Sequence, residues 1–272
     1  MACGKLEPLR ELRRRGLKLT NYIGSHPMAG RERGGAISAR ADIFLGRPWV
    51  ICRDGETPAS ALALIEDLAL DLGAVPIEME PEEHDRSVAL VSHVPQVIAS
   101  LLAARFAEAP EMSLSLAGQG VRDTTRIAAS APELWVQILA ANAAPVVEQL
   151  DLIAADLARV ADALRDPDAP GARRATADAI LEGNIGVGRL PGKHGQRRQF
   201  ETFVVMVDDT SGQLGRLFGD LGELDVNVED FRLEHSPGAQ LGLAEIAVDP
   251  ATLQRAVDGM SERGWKIAGA HG

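Results

Sequence analysis

Cysteine is nearly missing from this chain of 272 residues: Cys3 and Cys52 are the whole complement. Two thiols so far apart build neither a disulfide framework nor a zinc site, so no metal is expected and the reducing cytoplasm fits. Aromatic residues are scarce at 4%, while alanine and leucine abound in stretches that favour helix. Positive charge is in deficit, and the net charge of −11 leaves no basic face for nucleic acid. The one cationic cluster, Arg10 to Lys18, is interleaved with leucines and reads as the solvated side of a helix. No apolar run approaches the roughly 18 residues of a membrane span, and the N-terminus has no signal-like core. A soluble protein with no membrane partner is expected. A strand followed by Gly-x-Gly-x-x-Gly is also absent. The nearest match, Gly183-Asn184-Ile185-Gly186-Val187-Gly188, follows a helical pattern.

What is present is organised around Gly24-Ser25-His26-Pro27-Met28-Ala29-Gly30-Arg31-Glu32. It follows the apolar Tyr22-Ile23 and reads as a strand end opening into a loop, where functional side chains gather. His26 is either a turn histidine satisfying a backbone carbonyl or a neutral imidazole placed to accept from a substrate hydroxyl. Upstream, residues 1–19 read as an amphipathic helix with Leu6, Leu9 and Leu12 on one side. Downstream, strands at Pro48–Cys52 and Ala74–Met79 flank a helix from Pro58 to Leu72 that stops at Gly73. That is one strand–helix–strand unit of an α/β domain.

From Glu82 the period becomes helical. A first helix to about Glu108 should kink at Pro95, with His93 and Gln96 on one face near the kink. They are either surface polar groups or the lining of a cavity. In Gly118 to Ala128 two glycines permit close backbone approach, and Arg122 and Arg126 straddle Asp123. The arginines either hold an anionic substrate or form a structural pair with the aspartate. Ser130-Ala131-Pro132-Glu133 reads as a capping box opening one long helix to about Leu164. Val146, Leu150, Ile153, Leu157, Val160 and Leu164 repeat along it at 4-3-4-3-4. This coiled-coil-like seam is an intrachain or an intersubunit contact, and so long a stripe favours a second subunit.

One more helix, to about Glu182, precedes a linker at Gly188–Gly195. Then come a strand (Phe200–Val207), a helix (Gly212–Leu224) with Leu214, Leu217, Phe218 and Leu221 inward, and strands at Val226–Glu234 and Gln240–Val248. A helix (Pro250–Arg263) and a strand (Trp265–Ala270) complete βαββαβ, the ferredoxin-like order. Its first turn, Asp209 to Gly215, exposes backbone N–H groups at a helix N-terminus, suited to a small carboxylate. It holds no nucleophile paired with a base, so this part reads as a binding module.

Several blocks together resemble the prephenate/arogenate dehydrogenase family of tyrosine biosynthesis. They are Gly24–Gly30 with Glu32, His84-Asp85 leading to Ser92-His93-Val94-Pro95, Arg122–Ala128 with Trp135 and Asn142, and Leu190–Gly195. The C-terminal part looks like the ACT domain that many bacterial members append. The resemblance implies the end of a Rossmann-type α/β nucleotide-binding domain (1–80), an all-α substrate-binding and dimerisation domain (81–190) and an ACT domain (200–272). It implies NAD(P)-dependent oxidative decarboxylation of prephenate, or of arogenate, in a homodimer. By the family pattern His26 accepts the hydrogen bond of the substrate hydroxyl and Arg126 holds a carboxylate, with Glu32 tuning access to it. His93 lines the pocket, Gln96 shares it, and Trp135 closes it, on this pattern from a neighbouring subunit. Gly212, Gln213, Leu214 and Asn227 bind an aromatic amino acid effector, most simply tyrosine. The chain departs from the family in having Gln96 where a second histidine is common, no serine near Lys5, and no Gly-rich half of the nucleotide domain. The alternative is a dimeric amino-acid-binding regulatory protein that does no chemistry.

Overall fold

The computed structural model describes residues 4–20, 22–29, 40–190, 200–235 and 241–271. The chain divides into two compact units, one drawn from 1–108 and 124–162, the other from 109–123 and 163–272.

The first unit opens with α1 (Leu6–Arg14), which buries Leu9 and is shorter than the expected 1–19 because Gly16 takes φ +69°. Its basic side is solvated, with Arg14 and Arg15 both paired to Glu11. A three-stranded sheet follows in the order β1 (Gly24–Pro27), β2 (Pro48–Cys52), β3 (Val75–Met79). β1 runs antiparallel to β2, and β2 parallel to β3 through α2 (Ala59–Asp71). Trp49, Val50, Ile51 and Cys52 are all buried, as a strand covered on both faces requires. Gly73 ends α2 with φ +71°, and a Cβ there would meet Leu45 Cδ1 at 2.6 Å. His26, expected in a loop, lies within β1 opposite Val50.

The next helical stretch is α3 (Pro81–Val88), a π-helical turn (Ala89–His93) and α4 (Val94–Ala104). Pro95 offers no N–H and crowds the preceding turn, so the widened turn before it takes the place of a sharp kink. Pro81–Ala104 is, against the sequence expectation, long and apolar enough to cross a membrane, with a mean hydropathy of 1.6. Its buried face, however, carries His84, Asp85, His93 and Gln96. The chain then forms short helices α5 (Glu111–Leu114) and α6 (Gln119–Thr125) and a 3-10 turn (Arg126–Ala128) that packs against α4. A Cβ on Gly118 or Gly120 would meet no heavy atom of the described residues within 4 Å.

The single long helix expected from Pro132 is two, α7 (Pro132–Ala141) and α8 (Ala143–Arg165), bent by 96° at Asn142. The capping box does not form either. Ala131 is the N-cap, and Ser130 Oγ donates to the Ile127 carbonyl at 2.7 Å. At the start of the seam Val146 packs with Ala89, Val94, Leu139 and Leu150. Farther along, Leu157 and Leu164 are 68% and 58% exposed in the single chain.

The second unit contains α9 (Ala172–Val187) and the βαββαβ array β4 (Glu201–Asp208), α10 (Gln213–Glu223), β5 (Asp230–His235), β6 (Leu241–Val248), α11 (Pro250–Glu262) and β7 (Lys266–His271). Its strands lie in the order β5-β6-β4-β7, every neighbouring pair antiparallel. Phe203, Val205, Leu217, Leu221, Ile246 and Met260 fill the core. Phe218, expected to point inward, is 42% exposed and rests on Phe231, with ring centroids 4.9 Å apart.

Candidate active site

Asp85 is the hub of the first unit's polar interior. Its carboxylate sits at the N-terminus of α1, taking the N–H of Lys5 at 2.7 Å and of Leu6 at 3.0 Å. Gly4 makes this approach possible, since a Cβ there would stand 2.9 Å from the Ala141 carbonyl oxygen and 3.4 Å from Asp85 Oδ2. On α3, Pro81, His84, Asp85 and Val88 form one buried stripe at helical spacing. His84, wholly buried, reaches Asp85 Oδ1 with Nδ1 at 2.8 Å and His26 Nδ1 with Nε2 at 2.8 Å. Asp85, His84 and His26 therefore form one continuous hydrogen-bonded chain.

The chain fixes protons. Ionised Asp85 only accepts, so His84 donates from Nδ1 and, when neutral, accepts at Nε2. His26 must then donate from Nδ1, so neutral His26 carries its proton there and its Nε2 is the unprotonated nitrogen. Burial, then the charges of Lys5, His84 and His93, lower the His26 pKa to about 4, against a smaller opposing effect of Asp85. At neutral pH the imidazole is uncharged. For Asp85 burial alone would raise the pKa, but His84 and the two main-chain N–H groups outweigh it and hold the group below its ordinary value.

A second arm leaves the same residue. Asn142 Nδ2 donates to the Asp85 carbonyl at 2.8 Å and lies 3.1 Å from His93 Nδ1. Burial lowers the His93 pKa as well, helped by His84. Trp135 stands edge-on to His93, with ring centroids 6.2 Å apart and planes at 82°. Gln96 donates to Ser100 Oγ at 3.3 Å and meets Ser130 Oγ at 3.5 Å. A cavity of about 440 Å³ shares Asp85 and Asn142 with this network but none of the imidazoles, and Arg10, Arg86 and Glu148 are among its walls.

A family model described as prephenate dehydrogenase, nucleotide-binding domain, matches residues 1–78, and one described as its dimerization domain matches 80–176. NovF of Streptomyces niveus, assigned as a prephenate dehydrogenase, is 33% identical over 269 residues, which are 96% of this chain and 74% of NovF. The chain belongs to the prephenate dehydrogenase family. A Corynebacterium glutamicum structure assigned to the same activity superposes with a TM-score of 0.60 at 27% identity, over 70% of this chain and 61% of that one. The prephenate dehydrogenase of A. aeolicus, solved with hydroxyphenyl propionate and NAD+, gives a TM-score of 0.57 at 26% identity, over 68% of this chain and 63% of its own. The chain thus spans less than two thirds of either solved relative.

Within this family frame, the structure brings His26, His93 and Trp135 into one neighbourhood of hydrogen bonds and edge-on ring contact, with His84, Asp85 and Asn142 between them. Trp135 meets His93 within the same chain. Arg126 is exposed on the turn packed against α4, the helix of Gln96. Asp123 accepts from Gln119 at 2.8 Å. Glu32 lies outside the described residues. In the second unit Gly212 is left-handed (φ +90°) at the start of α10, and exposed Asn227 donates to Glu229 at 2.7 Å. The 140 Å³ cavity found in that unit lies elsewhere, between Thr202, Phe231 and Glu245.

His84, Asp85 and Asn142 were legible only as parts of the family blocks. For His84 and Asp85 the signal is the spacing 81, 84, 85, 88, which puts two ionisable residues on one buried stripe of a helix.

Proposed function

We propose that this chain is the substrate-handling part of an NAD(P)-dependent prephenate dehydrogenase, which oxidatively decarboxylates prephenate to 4-hydroxyphenylpyruvate in tyrosine biosynthesis in the cytoplasm. The observation that carries this reading is the Asp85–His84–His26 chain, which leaves His26 Nε2 as a neutral acceptor. As the ring carbon bearing the hydroxyl is oxidised to a carbonyl, the hydroxyl proton has to leave, and an acceptor of depressed pKa takes that hydrogen bond without being protonated beforehand. Arg126 holds a substrate carboxylate, with Glu32 tuning access to it. His93, Gln96 and Trp135 shape the pocket, and Gln96 in place of a titratable group keeps arogenate as the rival substrate. The oxidant in such a reaction is a nicotinamide dinucleotide. These residues carry no Gly-x-Gly-x-x-Gly turn between strand and helix, so they do not themselves form its phosphate cradle. The exposed half of the α8 seam is the homodimer contact, and the βαββαβ array is an ACT module. It responds to tyrosine or another aromatic amino acid through Gly212, Gln213, Leu214 and Asn227.

Calorimetry with prephenate and with arogenate, together with nucleotide reduction, tests this on the chain and on two variants. The expected result is binding by the wild type and, wherever turnover is present, a loss of about 10²-fold in His26→Asn with affinity near normal. Arg126→Ala should weaken binding by about 2–5 kcal/mol. Failure of the wild type to bind either acid, with tyrosine still bound, would favour the regulatory protein instead.

A further inference from the structure

We infer that Asn142 is a positioning residue that holds His93 in the tautomer protonated on Nε2. The orientation of the amide is fixed by its other partner. The Asp85 carbonyl at 2.8 Å can only accept, so the amide atom facing it is the nitrogen. That nitrogen has one further hydrogen, and the polar atom 3.1 Å away is His93 Nδ1. A proton on Nδ1 would set N–H against N–H, so neutral His93 carries its proton on Nε2 and offers only a donor there.

The backbone is arranged around this amide. Asn142 is 3% exposed and stands where α7 and α8 meet at 96°, with φ −129° and ψ 31° rather than helical values. Continuing the helix through it would move the side chain from both partners. Asp85 therefore sets two imidazoles in opposite senses: its carboxylate, by accepting, keeps the His84 proton on Nδ1, while its carbonyl, through Asn142, leaves His93 unprotonated at Nδ1. If His26 accepts from the substrate, His93 is its complement, a donor to an oxygen of the same anionic ligand. That last step rests on the function proposed above, whereas the tautomer does not.

The test is nitrogen-15 NMR of histidine-labelled protein at neutral pH, with the His93 signals assigned by their loss in His93→Gln. The inference expects wild-type His93 protonated at Nε2 and bare at Nδ1. In Asn142→Asp a carboxylate can only accept, so the proton should move to Nδ1, and prephenate should bind at least about tenfold more weakly. Asn142→Gln, a longer amide, should keep the Nε2 proton wherever it still reaches. Wild-type His93 protonated at Nδ1, or an Asn142→Asp protein that folds and keeps the original tautomer, overturns the inference. No prephenate binding by the wild type, with the tautomer as expected, overturns only the functional reading.

Discussion

Replacing Asp85 by asparagine changes one oxygen to an NH2 and removes one charge. In the native structure Oδ1 receives both the Lys5 N–H and His84 Nδ1, and Oδ2 receives the Leu6 N–H. An asparagine oxygen at the Oδ1 position keeps two of these bonds but turns them from charge-assisted to neutral, a loss of about 1 kcal/mol each. The amide nitrogen then faces the Leu6 N–H, donor against donor, and the orphaned pair costs about 2 kcal/mol more. Relief from burying a carboxylate returns about 1 kcal/mol, so the net destabilisation is about 3 kcal/mol, the low end of what breaking a buried ionic contact costs. With a urea slope of about 2 kcal/mol per molar, the midpoint falls by about 1.5 M.

The assay is urea unfolding by tryptophan fluorescence in a Trp265→Phe background, which leaves emission from Trp49 and Trp135, both in the first unit. Acidity supplies a control. Because the folded-state pKa of Asp85 is depressed, its contribution is complete above the ordinary carboxylate range and is lost as pH falls through the folded value. The difference between wild type and Asp85→Asn should therefore shrink below about pH 4. A change in stability under about 1 kcal/mol at pH 7, or a gap that persists unaltered in acid, would refute the placing of a charged hub at this position.

The remaining expectations follow from the same interior and from the second core. His26 takes a proton near pH 6.5 when unfolded but near 4 when folded, so the unfolded state binds more protons between those values. Its stabilising contribution is full above pH 6.5 and declines toward pH 4; NMR titration of His26 should show no midpoint near 6.5, and a normal midpoint would contradict the buried relay. The Cys52 thiol is pushed up to about 12, first by burial and then by Asp85 and Glu80 against an opposing Lys5. In a Cys3→Ser protein, a thiol reagent at pH 8 should label Cys52 only after denaturant is added, and rapid native labelling would count against the packing of β2. In the second unit a Cβ on Gly259 would drive into Leu224, so Gly259→Ala should cost about 1–3 kcal/mol by overpacking, read from its melting curve.

Regular elements were legible where the local pattern and the tertiary environment agree. β2 was read to the residue from Pro-Trp-Val-Ile-Cys, because a strand buried on both faces is apolar throughout. α2 and α11 were bounded by proline at their starts and by Gly73 and Gly264 after their ends, both at positive φ. The break at Asn142 was not legible. Leu139, Val146 and Leu150 continue a helical stripe across it, and a lone asparagine costs a helix little. What decides the break is a pair of hydrogen bonds to Asp85 and His93, 57 and 49 positions away. Likewise Ser130 has the spacing of a capping box, yet the helix begins one residue later, with Ala131 as its N-cap, and the Ser130 hydroxyl donates to the Ile127 carbonyl of the preceding tight turn.

The site divides along the same line. His26, His93 and Trp135 stand in recognisable blocks, but their block says only that an imidazole or an indole is there. Whether His26 is a base depends on which of its nitrogens is protonated, and that is set by His84, 58 positions away, through Asp85. Asp85 can act as an anion only because α1 presents two N–H groups from 79 and 80 positions upstream, past a glycine that leaves room for them. Each step from motif to chemistry is thus a contact between distant segments. The chemistry of His26 is a property of the folded unit and not of the Gly24–Gly30 block alone, which is why substitutions at Asp85 or His84 should alter its titration while leaving that block intact.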